Sequence, residues 1–388
     1  MQKQAAAKQR AFELMVGGYR RKPRSRHEML VHGGDIYRQD VELDFSVNGN
    51  PCGMPAGVKE ALHRAVDQCW HYPDPETEEL RAKLAERLQV SKENLLVGNG
   101  ASELFPAIVR AIAPRKTVIP VPSFGGYEYA VSARTGDNFY YPLREEKGFA
   151  LTEEILSVLD DQTELLFLAQ PNNPVGNLIG EPLLKLVLDY CLEKGIRVVL
   201  DECFLALCPE GEARSFVHRL PAYPNVLVVR AFTKTFAMPG VRLGYVVCSD
   251  TELLTRVRRQ LAEWNVSIPA QAAGIAALEE KAYLKESVGQ IRLWREQLAA
   301  GLEALGFQVY FGEANFVFFR WEQELKRGSE QNPVQSYLYR ALLERKILIR
   351  DCSNYRGLGA GYYRAAVRTK EENGRLLQAL QEIVQEIV

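Results

Sequence analysis

The sequence predicts an α/β protein: a large domain built on a mostly parallel sheet with helices on both faces, and a smaller α+β domain. Three observations predict it. Short apolar runs at 94–97, 117–121, 165–169, 196–200, 226–229 and 245–248 alternate with stretches of helical periodicity, the pattern of parallel strands buried on both faces. Several of these runs end in a Gly-, Asn- or Pro-rich segment or in a lone charged residue, and ligands sit at the carboxyl ends of strands in such sheets. From Ser267 onward the pattern changes to long amphipathic helices with few strands, at 315–320 and 346–350. A chain of 388 residues can bury enough core for two domains.

Composition narrows the function classes. The net charge of −1 argues against nucleic acid or an anionic membrane as the main partner, and no apolar run approaches the roughly 20 residues that span a bilayer. The seven cysteines are scattered, without a Cys-x-x-Cys pair, which predicts free thiols in a reducing cytoplasm rather than a disulfide framework or a zinc site. The five histidines form no ligand-like cluster, so no metal centre is expected. Residues 1–31 are rich in Lys and Arg and poor in acids. They lack the apolar core of a secretory signal and the serines of a transit peptide, and read as a solvated basic extension.

Along the chain, His32-Gly33-Gly34-Asp35 and the run from Asp44 to Pro51 are polar and rich in Gly and Asn. They form loops in which Asn48 can hydrogen-bond backbone or ligand. A helix over 56–69 leads to Tyr72-Pro73-Asp74-Pro75. After the strand at 94–97, Gly98-Asn99-Gly100-Ala101-Ser102 opens a helix reaching about 113. Backbone N–H groups at such a helix start make an anion site reinforced by the helix dipole. The strand at 117–121 runs into Phe124 and a further helix, and the strand at 165–169 ends in Gln170-Pro171-Asn172-Asn173-Pro174 before a helix over 182–194. The strand at 196–200 delivers Asp201. A buried carboxylate needs a partner, and a protonated ring nitrogen, a helix cap or a salt bridge would each serve.

The strand at 226–229 delivers Lys234, and eight residues on Arg242 stands between Gly240 and Gly244. A Lys enclosed at strand ends has its ammonium disfavoured by desolvation and becomes a nucleophile toward an aldehyde. Arg242 and the Thr233 hydroxyl suit a phosphate beside that aldehyde. Pyridoxal phosphate carries both groups. A helix over 251–264 follows, and Arg350 and Arg364 bring planar forks suited to carboxylate or phosphate.

The stretch Thr233-Lys234 with Gly240-Val241-Arg242-Leu243-Gly244 resembles the signature of the fold-type I pyridoxal-phosphate enzymes, the aspartate aminotransferase superfamily. The resemblance runs from about His32 to the C-terminus and lies in the histidinol-phosphate aminotransferase branch. Several stretches, among them His32 to Ile36, Asp44 to Asn48 and Ile347 to Tyr355, are similar to the threonine-phosphate decarboxylases of cobamide synthesis. The resemblance implies a large domain over 56–266 and a small one made of 32–55 with 267–388. It implies Lys234 and Asp201 as catalytic residues, Gly100, Ala101, Ser102, Thr233 and Arg242 around the cofactor phosphate, Phe124 on the ring face, and Asn173 at the phenolic oxygen. His32, Asn48, Arg350 and Arg364 would bind substrate, with Arg368 as a further cation. Tyr72 would reach the partner's site in a homodimer. The implied reaction is decarboxylation of O-phospho-L-threonine; histidinol-phosphate or aromatic transamination with 2-oxoglutarate is the alternative, and a non-catalytic cofactor-binding module is the remote one. Three departures stand out: Phe204 where aminotransferases have Tyr, Ala231 where a phosphate-binding Ser or Thr is common, and Asp35 where an Asn is common in the decarboxylases.

Overall fold

The computed structural model describes residues 33–132, 136–326 and 336–386; His32 and the basic extension 1–31 lie outside the described residues. In chain order the strands are β1 (Leu43–Asp44), β2 (Leu95–Gly98), β3 (Lys116–Val121), β4 (Asp137–Pro142), β5 (Thr163–Ala169), β6 (Arg197–Asp201), β7 (Val226–Ala231), β8 (Gly244–Val247), β9 (Gln308–Tyr310), β10 (Phe316–Arg320), β11 (Ile347–Leu348), β12 (Arg350–Asp351) and β13 (Tyr362–Ala366). The large sheet has the order β2-β8-β7-β6-β5-β3-β4. It is parallel except for β8, which runs antiparallel to β7 and β2.

Alternation along each strand feeds two cores. Leu166, Val198, Leu200, Val226 and Val228 point to a cluster shared with Leu80 and Leu84 of helix Glu78–Leu88 and Val187 of helix Glu181–Glu193. Leu165, Phe167, Val199, Leu227 and Val229 point to the opposite cluster, which holds Leu104 and Ile108 of helix Ala101–Ile112 and Leu253 and Val257 of helix Thr251–Arg258. Successive side chains of a strand face opposite ways, so a run apolar at every position needs helices on both faces. A second sheet, β12-β13-β10-β9, packs its own core with helices Lys281–Ala304 and Lys370–Gln385 through Leu298, Leu302, Leu376 and Leu380. β1 joins this region by parallel pairing with β11.

The structure departs from the sequence reading in three places. β4 was not foreseen, because Asp-Asn-Phe-Tyr-Tyr-Pro starts polar and ends in proline; it is an edge strand paired with β3 alone. The run 346–350 is two strands rather than one: β11 pairs with β1, and β12 with β13. The helix expected over 251–264 ends at Arg258; beyond Val257 no residue up to 264 is fully buried and only Leu261 leans on the core, too little apolar contact to sustain further turns. Helix Ile268–Glu279 buries Ala270, Ala273 and Ala277 in the core of the large sheet. No described helix is long and apolar enough to cross a membrane, and all seven cysteines are free thiols.

Candidate active site

Pairing register sets Ala169, Asp201 and Val229 side by side at the carboxyl ends of β5, β6 and β7. The loops that leave these strands form a cavity of about 330 Å³, closed from the other side by residues 46–48 and by Arg350, Tyr355 and Arg364 of the second sheet region.

Lys234 enters from the short helix Phe232–Thr235, directly after β7. Lys234 lines the cavity and is half-buried there. That desolvation, together with repulsion from Arg364 and then Arg242, lowers its pKa from 10.5 to about 8. No described residue gives its amine a hydrogen bond or an ion pair of its own. Asp201 is buried; its Oδ1 accepts from the Cys203 N–H at 2.9 Å and its Oδ2 from the Tyr127 hydroxyl at 2.5 Å. Burial pushes this carboxyl up, while the bonds from Cys203 and Tyr127 pull against that.

At the opposite edge, helix Ala101–Ile112 starts at Gly100. The Arg242 guanidinium lies across that start and donates to Ser102 Oγ at 2.7 Å. A Cβ on Gly100 would fall 2.6 Å from Arg242 Nη2, and the residue's φ is +80°, so only glycine permits this approach. Backbone N–H groups, a hydroxyl and a guanidinium thus converge where an anion would sit. Phe124 and Thr233 complete the wall on this side.

The substrate side is cationic. Arg364 Nη1 donates to Asn173 Oδ1 at 2.5 Å and Nη2 to the Ser46 carbonyl at 2.8 Å. With Asn173 Oδ1 engaged, its amide N–H groups remain to donate to an oxygen in the cavity. Arg350 donates to Asn354 Oδ1 at 2.7 Å and lies 5.0 Å over the Tyr355 ring. Asn48 is buried, and its Oδ1 has no partner among the described residues, an acceptor awaiting a donor.

The model of the family "Aminotransferase class I and II" matches residues 41–380. The chain belongs to the class I and II aminotransferase family. It is similar to the threonine-phosphate decarboxylase of Salmonella typhimurium, with 37% identity over 91% of this chain and 96% of that one. It is also similar to the histidinol-phosphate aminotransferase of Methanocaldococcus jannaschii, at 29% over 93% and 94%. Among solved structures, the histidinol-phosphate aminotransferase of Clostridium acetobutylicum aligns with a TM-score of 0.79 at 28% identity, covering 89% of this chain and 99% of that chain. The L-threonine-O-3-phosphate decarboxylase of Porphyromonas gingivalis aligns at 0.76 with 25% identity, covering 88% and 99%.

As a family member the protein is a pyridoxal 5'-phosphate enzyme, and the cavity fits that cofactor. The amine of Lys234 suits its aldehyde, Asp201 its ring nitrogen, Asn173 its phenolic oxygen, and the Gly100–Arg242 corner its phosphate. Of the residues singled out from sequence, Lys234, Asp201, Ala101, Ser102, Phe124, Asn173, Thr233, Arg242, Asn48, Arg350 and Arg364 line one cavity, with Gly100 against Arg242. Tyr72 does not line the cavity of its own chain; it stands 78% exposed beside Trp264, ring centroids 4.8 Å apart. Arg368 is corrected: it pairs with Glu372 at 2.8 Å in the first turn of the last helix, outside the cavity. Asp35 faces Arg38 at 3.7 Å rather than the cavity. Tyr127 and Tyr355 were missed. The spacing Phe124-x-x-Tyr127, one helical turn, was the available signal for the first.

Only the neutral amine of Lys234 attacks an aldehyde. Cofactor-stripped protein is therefore expected to recapture pyridoxal phosphate about tenfold faster per pH unit gained below about 8, with a plateau above. Stopped-flow absorbance between pH 6 and 10 checks this; a flat profile would refute it.

Proposed function

We propose that the protein decarboxylates O-phospho-L-threonine to an aminopropanol phosphate, a step of cobamide synthesis, as a cytoplasmic homodimer. One observation carries the reading: two guanidinium forks, Arg350 and Arg364, face the same cavity as Lys234, while a third, Arg242, lies at the helix start that suits the cofactor phosphate. A substrate with both a carboxylate and a phosphate matches two forks beyond the cofactor's own anion site. Phe204, which lines the cavity and packs edge-on against Phe316 with centroids 5.4 Å apart, has no hydroxyl to offer the phenolic oxygen, and the similarity to the Salmonella decarboxylase supports the same choice.

Bound pyridoxal phosphate supplies an electron-poor ring that draws electrons from a bond at the substrate α-carbon. The chain does the rest. Arg364 and Arg350 hold the two anions and so select which α-carbon bond stands across the ring face. Asp201, held from both oxygens, keeps a negative charge beside the ring nitrogen. Lys234 Nζ returns a proton to the α-carbon after carbon dioxide departs. Tyr72, exposed in the single chain, would reach the cofactor phosphate of a second copy.

Carbon dioxide release from O-phospho-L-threonine is expected without any keto-acid acceptor, with little amino transfer from histidinol phosphate to 2-oxoglutarate. One preparation is offered both substrates. If only the transfer occurs, the decarboxylase assignment fails while fold and cofactor site stand.

A further inference from the structure

The loop between β12 and β13 carries four consecutive residues with opposed tasks. Asn354 accepts from Arg350. Tyr355 lies under Arg350, and its hydroxyl is 3.4 Å from Asn173 Oδ1 and 3.5 Å from Arg364 Nη1. The next residue, Arg356, turns away from the cavity. Its Nη2 donates to Glu128 Oε1 and its Nε to Oε2 at 3.3 Å, and the guanidinium rests 3.9 Å over the Tyr140 ring. Gly357, at φ +87°, follows against the backbone of Val121 and Pro122.

Glu128 belongs to helix Gly125–Ser132, which begins after Phe124. The same helix carries Tyr127, the donor to Asp201. Neighbouring residues of one helix thus tie down the two sides of the cavity: Tyr127 holds the carboxylate meant for the cofactor ring, and Glu128 holds the loop that supports both substrate-side arginines. The side chains of Arg356 and Glu128 are 8% and 9% exposed. A desolvated ion pair recovers little net stability against an apolar pair of the same volume. A bidentate fork sandwiched against a ring fixes distance and direction, and breaking one half leaves a buried charge.

We infer that the Arg356–Glu128 pair is a positioning element. It sets how closely the Asn354–Tyr355 support, and with it Arg350 and Arg364, stands over the cofactor-bearing strands, and it acts on substrate binding rather than cofactor binding. The inference rests on the reading that Arg350 and Arg364 hold the substrate's anions.

The test compares wild type with Arg356→Gln, Glu128→Gln, the double variant and Arg350→Ala, using whichever of O-phospho-L-threonine and histidinol phosphate the wild type turns over. Steady-state kcat and KM are measured, and cofactor affinity is read separately by absorbance titration. Each single substitution in the pair is expected to raise KM about tenfold while cofactor affinity stays within about twofold, and the double variant should be no worse than the poorer single, because both remove the same interaction. Unchanged KM, additive losses, or a KM rise matched by cofactor loss would overturn the positioning role. A rise in Arg350→Ala alone overturns the pair but keeps the anion reading; no rise in Arg350→Ala overturns that reading and the inference with it. If Arg356→Gln does not fold, Arg356→Lys keeps the charge without the fork, and an unchanged KM there overturns the inference equally.

Discussion

Lys234→Ala is expected to fold, to lose the borohydride-sensitive visible absorbance of the cofactor-loaded protein, and to lose turnover by roughly four orders of magnitude. Folding should survive because the side chain faces the cavity rather than the core, and its ammonium is disfavoured by desolvation and by Arg364 and Arg242. Alanine removes that penalty. The linkage has a definite sign. Between about 8 and 10.5 the unfolded chain still binds the proton that the folded chain has released. Stability of the cofactor-free wild type should therefore rise with pH across that window, and the alanine variant should lack that part of the rise. Thermal melts of both cofactor-free proteins check the stability claim, and single-turnover assays check the chemistry. Normal turnover in the variant would remove the central assignment.

How far the site could be read from sequence depends on where each residue sits. Lys234, Asp201 and Asn173 follow apolar runs, and a parallel sheet brings strand ends to one edge whatever the helices do, so these three could be placed together without coordinates. Gly100 and Arg242 were legible as glycine-marked turns. That they meet depends on β8 running antiparallel between β2 and β7, a pairing no local pattern encodes. Tyr127 and Tyr355 carry no such mark: one reads as a helical core aromatic, the other as a loop residue. Arg368 shows the converse. Its composition suited an anion site, but Thr369 and Glu372 form a capping box at the start of the last helix, and Glu372 also takes the Arg368 guanidinium. The split of 346–350 was hidden because Ile347, Leu348 and Ile349 are all buried, and an unbroken apolar run does not say which neighbour each residue pairs with.

Asp201→Asn is the second large effect, and its size follows from the two hydrogen bonds already on the carboxylate. Oδ1 takes the Cys203 N–H and Oδ2 the Tyr127 hydroxyl, so both oxygens of the wild-type residue accept. An asparagine can keep one of these bonds, but its amide then points N–H donors toward Tyr127 or Cys203 and toward the ring nitrogen, where an anion is needed. Tyr127 can adapt by rotating its hydroxyl; the backbone N–H of Cys203 cannot, so the carbonyl oxygen of the variant should stay on Cys203. The charge beside the ring nitrogen is then gone while the shape is kept. Cofactor should still bind through the phosphate corner and Lys234, and KM should change little, because Arg350 and Arg364 are untouched. Turnover should fall by about two to four orders of magnitude, since the lost interaction counts most when charge flows into the ring. Tyr127→Phe provides the internal scale: it removes one neutral donor and leaves the carboxylate, so a loss of about tenfold is expected. Steady-state kinetics with cofactor occupancy measured by absorbance separates these outcomes, and an Asp201→Asn protein as active as wild type would reduce Asp201 to a structural cap.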